Sequence, residues 1–321
     1  MPTGKYHAAG IAVVIAAVAV LVVALENVAI AAFFGPLERL TTDFSPVYLS
    51  RRLDTLAARR DATVFLGDSV LWGFRLRPDE TAISRLSAAG CFCVNFAFKG
   101  GNAPNDFALV RLLQTRHAHP KRVIIEVNQR VFNPADGEYK SLHPAIAALA
   151  ADLFSPADRV KLGLAGAEAA PGGRLDHLAA HVSLLYAMRS DIRETMFDDV
   201  DTAPTQRPTP DLFEGTYDLT PLDPANVAVH FLEETVEVLR SDGIEVIAFL
   251  TPTNHALLHS YIDTPEYRAN GAYLRTLLER RGARVLDLDA TFPSSEFFDN
   301  DHLTPAGQQR LAARLGAALS H

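Results

Sequence analysis

A serine at position 69 and a histidine at position 302 are the residues of this sequence best placed to carry out chemistry. Ser69 follows an apolar run (63–66) and a Gly-Asp pair, and a second apolar run begins at Val70. This pattern predicts a buried strand, a tight turn and the start of a helix. The hydroxyl would then lie beside the free N–H groups of the first helical turn, which can stabilise a developing oxyanion. On its own, the triplet could equally be a capped turn.

His302 precedes a predicted C-terminal helix, for which Thr304 is a suitable N-cap. Asp299, three residues earlier, could accept a hydrogen bond from the imidazole, which would fix its tautomer and stabilise its charged form. His302 could then take the proton of Ser69 and return it to a leaving group. Asp301 is a rival for the role of the acid, and spacing alone does not separate the two.

The chain between these motifs alternates apolar strands with amphipathic helices. Near-continuous apolar strands in such an alternation predict a parallel sheet that is covered on both faces. Functional sites in sheets of this kind gather at the C-terminal ends of the strands. The predicted strands are 63–66, 91–98, 121–127, 243–250 and 284–288, and the runs 107–114, 227–239 and 272–280 have a helical pattern.

The sequence divides into an apolar N-terminal segment (1–34), a linker with a first helix (35–60) and one catalytic domain (61–321). Within the linker, residues 46–60 have helical apolar spacing, and this helix could lie near a membrane surface or pack on the domain. Residues 133–224 interrupt the alternation of strands and helices. We interpret them as an insertion that forms a substrate wall, a lid or a docking surface.

The N-terminal segment has the length and composition of a membrane helix. Residues 8–25 contain no charge, and after Glu26 and Asn27 a second apolar run extends to Phe34. This predicts an uncleaved signal anchor that contacts membrane lipid, with the domain on the extracytoplasmic side of the cytoplasmic membrane. A cleaved signal peptide is the alternative, because residues 29–31 (Ala-Ile-Ala) resemble a cleavage site. Either segment implies export.

Composition argues against several other classes. The formal net charge is −8 and no basic stripe stands out, so we expect no nucleic-acid partner. Cys91 and Cys93 are poorly placed to bridge if the chain is extended, and we expect two buried thiols. His177 and His181 have helical i,i+4 spacing without a third ligand, so we predict a structural role and neither a metal nor a cofactor.

Gly67-Asp68-Ser69 and Asp299-x-x-His302, in this order at opposite ends of an α/β pattern, resemble the SGNH (GDSL-type) serine hydrolase superfamily. The resemblance spans residues 60–321 apart from the insertion. It implies a three-layer α/β/α, flavodoxin-like sandwich around a five-stranded parallel sheet in the order 2-1-3-4-5. It also implies that Ser69 is the nucleophile, His302 the base and Asp299 its partner.

The same resemblance implies an oxyanion hole. Its donors would be the backbone N–H groups of Ser69 and Gly100, the latter after the second strand, and the side chain of Asn128 after the third strand. Asn102 is the alternative to Asn128, because residues 101–106 look like the Gly-x-Asn-Asp motif of the family but follow the second strand.

The N-terminal segment, the run Phe132-Asn133-Pro134 and residues 251–255 also resemble membrane-anchored SGNH proteins that work beside membrane-bound O-acyltransferases. Examples are the D-alanine-transfer protein of teichoic acid modification and proteins that acetylate bacterial exopolysaccharides. This implies an acylated carbohydrate or another ester as substrate, and an integral membrane O-acyltransferase as partner. Asn254 and His255 would contact the substrate, unless they merely begin a proline-containing loop.

The sequence therefore predicts an exported acyl-ester enzyme that works through an acyl-Ser69 intermediate. Water as the acceptor would make it an esterase, and a sugar hydroxyl would make it an O-acyltransferase; the residues do not separate the two. Two alternatives remain. One is a non-catalytic accessory protein that binds glycan or docks on an acyltransferase, and the other is a lipid esterase or thioesterase.

Overall fold

A computed structural model of the protein describes most of the chain beyond residue 44. The described residues are 13–14, 17–26, 28, 40, 44–135, 139–164, 183–187, 208–217 and 220–320. His177, His181, much of the insertion and most of the predicted anchor lie outside them. Within the described part, no helix combines the length and the apolar character that crossing a membrane requires.

The described residues form an alternating series of strands and helices. The strands are β1 (Thr63–Leu66), β2 (Cys93–Asn95), β3 (Arg122–Val127), β4 (Glu245–Leu250) and β5 (Arg284–Asp287). The helices are α1 (Pro46–Ala57), α2 (Ser69–Trp72), α3 (Ala82–Ala88), α4 (Ala103–Thr115), α5 (Pro144–Ala150), α6 (Pro156–Lys161), α7 (Leu184–Ala187), α8 (Val227–Ser241), α9 (His255–Ile262), α10 (Pro265–Arg280) and α11 (Pro305–Leu319).

The five strands form one parallel sheet in the order β2-β1-β3-β4-β5, which confirms the predicted topology. Every residue of β1 and β3 is buried. Successive side chains of a strand point to opposite faces, so this burial means that both faces are covered. Because β1 lies between β2 and β3, the loops that follow these three strands are neighbours.

The helices pack in two groups, which is what a three-layer sandwich requires. Helices α1, α4, α5 and α8 pack together, and α3 packs against α11. Gln308 of α11 is fully buried and joins the second group to the start of α2: its Oε1 accepts from Ala82 N at 2.9 Å and its Nε2 donates to Val70 O at 2.8 Å.

Two helices begin earlier than the sequence pattern indicates, because each starts directly after an N-cap residue. The predicted helix 107–114 begins earlier, at Ala103, because Asn102 caps it and accepts a hydrogen bond from Asn105 N. In the same way, the helix predicted over 272–280 begins at Pro265, after the N-cap Thr264. The C-terminal helix begins at Pro305 with Thr304 as its N-cap, as predicted.

The two cysteines form a disulfide, so the prediction of two buried thiols is wrong. Cys91 and Cys93 are bridged with their Cα atoms 5.2 Å apart, which is an ordinary disulfide separation. The prediction assumed an extended chain from residue 91 onward. Strand β2 begins only at Cys93, so the backbone at Cys91 is free to turn its sulfur toward its neighbour.

Candidate active site

Ser69 lies at the C-terminal end of β1, in the sharp turn that leads into α2. Asp68 is the N-cap, and its Oδ1 accepts a hydrogen bond from Val70 N at 2.9 Å. Gly73 ends this short helix in the left-handed region with φ 87°, and the chain folds back onto the serine. The N–H groups of Gly73 and Phe74 both donate to the carbonyl oxygen of Ser69, at 3.1 and 3.0 Å. The serine backbone is therefore fixed on both sides.

The turn of residues 67–69, which we call the elbow, is held by close backbone packing. A Cβ atom on Gly101 would lie 2.1 Å from the carbonyl oxygen of Gly67, and one on Gly67 would lie 2.5 Å from Glu126 Cβ. Glu126 Oε2 accepts hydrogen bonds from Asp68 N at 3.0 Å and from Leu71 N at 3.2 Å. The elbow is thus positioned by the loop after β2 and by a carboxyl group from β3.

The structure brings Ser69, His302 and Asp299 together in one hydrogen-bonded chain. Ser69 Oγ lies 2.8 Å from His302 Nε2, and His302 Nδ1 lies 2.9 Å from both carboxylate oxygens of Asp299. The backbone N–H of His302 also donates to Asp299 Oδ1 at 3.0 Å. If Asp299 accepts the Nδ1 proton, Nε2 is the free acceptor that faces the serine hydroxyl.

Asp301 lies beside the same imidazole but makes a different contact. Its Oδ1 is 3.5 Å from His302 Nδ1 and has no hydrogen-bond partner among the described residues, although the residue is fully buried. Its Oδ2 accepts from Asn128 Nδ2 at 2.9 Å and from Arg130 Nε at 3.4 Å. Of the two candidate acids, Asp299 therefore has the hydrogen-bonding geometry, whereas Asp301 places a second buried carboxylate near the ring.

The surroundings of His302 raise its pKa above the ordinary 6.5. Burial alone would lower the pKa of the imidazole, but the charge of Asp301, the hydrogen bond and charge of Asp299 and the charge of Asp68 together outweigh it. Burial likewise would raise the pKa of Asp299, yet the hydrogen bond and charge of His302 bring that pKa below its usual range. Both shifts favour an imidazolium–carboxylate pair.

The structure places Asn128 at the centre of a polar cluster rather than at an open site. Its Nδ2 donates to Asp68 Oδ2 at 3.0 Å and to Asp301 Oδ2 at 2.9 Å, so both amide protons are directed at carboxylates. Its oxyanion role stays a prediction, and it requires that one of these bonds be exchanged for a substrate oxygen. The alternative, Asn102, caps α4 and donates to Ser141 O at 2.9 Å.

Two predicted backbone donors are free of internal acceptors. No group in the described part of the chain accepts a hydrogen bond from Ser69 N or Gly100 N. Gly100 has φ 83° in the turn after β2, and this turn is joined to the elbow by the bond from Phe98 N to Gly67 O at 3.4 Å. These two N–H groups therefore remain the candidates for holding an oxyanion.

Asn254 and His255 lie at the end of β4, next to the loop that carries the acid. Asn254 is buried, and its Nδ2 donates to Asp299 O at 2.9 Å while its Oδ1 caps α9. His255 Nε2 lies 3.0 Å from Asp289 Oδ2, and this hydrogen bond raises the pKa of the imidazole. Asn254 thus positions the acid loop, and substrate contact by either residue stays a prediction.

Sequence reasoning missed Glu126 and Asp106, two buried acids behind the elbow. Burial and the charge of Asp68 raise the pKa of both carboxyl groups well above the usual range. Together with Asp68 they line a cavity of about 20 Å³, and within the described part of the chain Asp106 Oδ1 has no hydrogen-bond partner. The signal was present for Glu126, because an acid inside the apolar strand 121–127 must have a buried partner.

Asp299, Asp301 and His302 also form a group whose ligand atoms lie within 4.8 Å of one another, a geometry that could hold a metal ion. His302 Nδ1 and the oxygens of Asp299 already hydrogen-bond each other. An ion at this position would have to displace that contact, so the described geometry is that of a hydrogen-bonded pair.

Comparison with known proteins adds similarities of fold. A protein-family model matches residues 225–318, and no curated protein matches the sequence. A GDSL-like lipase from Bacteroides thetaiotaomicron is similar, with 10% identity, a TM-score of 0.43 and coverage of 86% of this chain and 98% of the other. A lipase/acylhydrolase from Enterococcus faecalis has 12% identity, a TM-score of 0.37 and coverage of 78% of this chain and 91% of the other. TesA is also similar, with 13% identity, a TM-score of 0.40 and coverage of 80% of this chain and 97% of the other. At such identities we base the function on the site itself.

Proposed function

We propose that this protein is an SGNH-type serine acyl-ester enzyme that works through an acyl-Ser69 intermediate. The observation that carries the proposal is the contact chain from Ser69 Oγ to His302 Nε2 at 2.8 Å and from Nδ1 to both oxygens of Asp299 at 2.9 Å. A nucleophile, a base and an orienting acid in this arrangement define a serine triad by geometry, whatever the fold.

The chemistry follows from these contacts. Ser69 Oγ attacks the ester carbonyl carbon while its proton passes to His302 Nε2. The N–H groups of Ser69 and Gly100 would hold the oxygen that becomes negative. When the tetrahedral intermediate collapses, the bond to the alcohol oxygen breaks, and the imidazolium returns its proton to that oxygen. The products of this first half are a free alcohol and acyl-Ser69.

The second half determines whether the enzyme hydrolyses or transfers. Either water or a sugar hydroxyl gives its proton to His302 and attacks the acyl carbon. The bond from this carbon to Ser69 Oγ then breaks, the imidazolium returns the proton to Oγ, and the product is a carboxylic acid or a new ester. We favour O-acyl groups of cell-envelope or exported glycans as substrates, with transfer beside an integral membrane O-acyltransferase as one form of the reaction. This preference rests on the sequence resemblance.

Export and membrane anchoring belong to the same proposal. The long uncharged run at residues 8–25 supports an anchor, and the Cys91–Cys93 disulfide is of the kind that persists in oxidising compartments. A single-pass protein of the cytoplasmic membrane with an extracytoplasmic domain would have both features.

Turnover of a short-chain chromogenic ester tests the core of the proposal. The wild-type protein should hydrolyse 4-nitrophenyl acetate or butyrate, and a fluorophosphonate probe should label Ser69. Ser69→Ala should remove both signals, whereas Ser87→Ala, at a serine near the end of α3, should keep them. A wild-type protein that shows neither turnover nor acylation with any donor would refute the catalytic function. Such a protein would fit the accessory role, and full function of a Ser69→Ala strain would point the same way.

A further inference from the structure

The flank of the site that faces Phe74 carries two cations. The Phe74 ring packs on the His302 imidazole with centroids 4.4 Å apart. Arg75 Cζ lies 5.3 Å and Lys99 Nζ 5.5 Å from the centroid of the Phe74 ring. One aromatic ring therefore contacts both the base and two positive side chains, which come from different loops.

The backbone contacts that hold Ser69 also fix the segment that carries Arg75. Phe74 N donates to Ser69 O at 3.0 Å, and left-handed residues stand on both sides of Phe74, Gly73 with φ 87° and Arg75 with φ 63°. A left-handed conformation is uncommon for arginine, so the surrounding structure must hold Arg75 in it. Lys99 immediately precedes Gly100, whose N–H is a candidate oxyanion donor.

Neither cation has an acidic partner among the described residues. Arg75 is half-buried, and its Nε is buried with no hydrogen-bond acceptor. Two residues further along, Arg77 lies 3.6 Å from Asp79 and 3.5 Å from Glu80, so acids of the same segment pair with a different arginine. Arg75 is therefore a half-buried guanidinium with no counter-ion among the described residues, and the Phe74 ring that it contacts packs on His302.

The charge of the whole chain makes this local arrangement more informative. The formal net charge is −8, so an anionic substrate would be repelled by the protein as a whole. Two cations against the Phe74 ring, which packs on His302, would offset that repulsion locally and orient a negative group beside the ester. A neutral ester would gain nothing from them.

We propose that Arg75 and Lys99 form an anion subsite, and that the substrate carries a carboxylate or phosphate group close to its scissile ester. This inference rests on the proposed function and specifies its substrate class. Carboxylate and phosphate share the acceptor chemistry that a guanidinium and an ammonium bind, and either could be supplied by an acyl chain or by an acidic glycan.

A matched pair of esters tests the subsite. 4-Nitrophenyl hemisuccinate carries a carboxylate on its acyl chain, and 4-nitrophenyl valerate is a neutral ester of similar length. The ratio of kcat/KM for the anionic ester to that for the neutral ester should fall about tenfold in the double variant Arg75→Gln/Lys99→Gln. Arg75→Lys should retain most of the ratio, and the control Arg77→Gln should leave it unchanged. The ratio should also fall with salt between about 0.02 and 0.5 M.

A direct binding measurement separates this inference from the catalytic proposal. Glucuronate and glycerol phosphate should bind the Ser69→Ala protein, and the stronger of the two would identify a carboxylate or a phosphate source. Binding that is lost in Ser69→Ala/Arg75→Gln/Lys99→Gln supports the subsite even if no ester is turned over. Two results would overturn the subsite alone. One is turnover of both esters with a kcat/KM ratio that these variants do not alter, and the other is equal binding of both anions with and without the two cations.

Discussion

The two carboxylates beside His302 should differ in what their loss does to catalysis. Asp299 contacts Nδ1 through both oxygens at 2.9 Å, so it fixes the tautomer in which Nε2 can take the serine proton. We expect Asp299→Asn to lower kcat about 10³- to 10⁴-fold, because the amide would favour the wrong tautomer. Ser69→Ala and His302→Ala should reach the background, a loss of about 10⁶-fold. Steady-state kinetics with a chromogenic ester measure kcat for each variant. A larger fall of kcat in Asp301→Asn than in Asp299→Asn would contradict this assignment of the acid.

Asp301 should act on His302 through its charge, and the readout is the pH profile. The imidazole must be neutral to accept the serine proton, and its pKa is raised above 6.5 with Asp301 as the largest raising influence. The rate should therefore rise with pH through a midpoint above 6.5. Asp301→Asn removes the charge, lowers the pKa of His302 and moves this acidic limb to lower pH. The exposed Asp79→Asn is the control and should leave the profile in place; an unshifted Asp301→Asn profile would exclude the electrostatic role.

At the scale of elements, the elbow between β1 and α2 depends on backbone approach that only glycine permits. A Cβ at position 101 would lie 2.1 Å from Gly67 O, so Gly101→Ala must push the loop after β2 away from the elbow. We expect a loss of about 1–3 kcal/mol of stability together with a large loss of kcat, since Gly100 would move with the loop. Gly316→Ala in α11 is the matched control, because its Cβ would meet Leu86 Cδ2 at an ordinary 3.4 Å. Thermal unfolding and ester turnover should be measured for both variants. A Gly101→Ala protein with the Tm and kcat of the wild type would show that the loop after β2 moves without cost to stability or catalysis.

The contact of Glu126 in β3 with the elbow should contribute less to stability as the pH rises. Burial and the charge of Asp68 raise the pKa of Glu126 well above its ordinary 4.5, so the folded protein keeps this carboxyl protonated where the unfolded chain would ionise it. A raised acid pKa contributes stability below 4.5 that is lost as pH rises toward the folded-state pKa. Glu126→Gln keeps the acceptor for Asp68 N and Leu71 N without this proton linkage. Its Tm relative to wild type should therefore increase with pH above about 4.5, and a constant or falling difference would mean that Glu126 is ionised in the fold.

At the scale of the whole molecule, the sequence was informative wherever the signal was local or periodic. Apolar runs located the five strands, and the order 2-1-3-4-5 came with the family resemblance. Strand ends and helix caps are visible in the chain, so the local pattern also indicated Ser69 and His302 as candidates, whereas the choice of Asp299 over Asp301 came with the family resemblance.

What could not be predicted depends on partners far away in sequence. Asn128 donates hydrogen bonds to Asp301, 173 positions away in the sequence, and to Asp68, 60 positions away. The residues near Asn128 in the sequence do not indicate either carboxylate partner. The contact of Glu126 with the elbow and the closing of Cys91 onto Cys93 likewise depend on where the backbone turns in three dimensions. Spacing cannot supply this information, so the roles of these residues emerge only from the folded chain.

The N-terminal segment and the disulfide together make one prediction about where the whole protein resides. The uncharged run over residues 8–25 would partition into a bilayer if it is the anchor that we propose, and a Cys91–Cys93 bridge persists where thiols are not kept reduced. The full chain should therefore sediment with membranes, resist a high-salt or carbonate wash and dissolve in detergent, with no free thiol under denaturation. Deletion of residues 1–34 behind a cleavable export signal should release it in soluble, disulfide-bonded form. Because the anchor and the bridge are independent features, recovery of the full chain in the soluble cytoplasmic fraction with two reactive thiols would contradict both at once, whereas a membrane-bound chain with free thiols would contradict only the oxidising compartment.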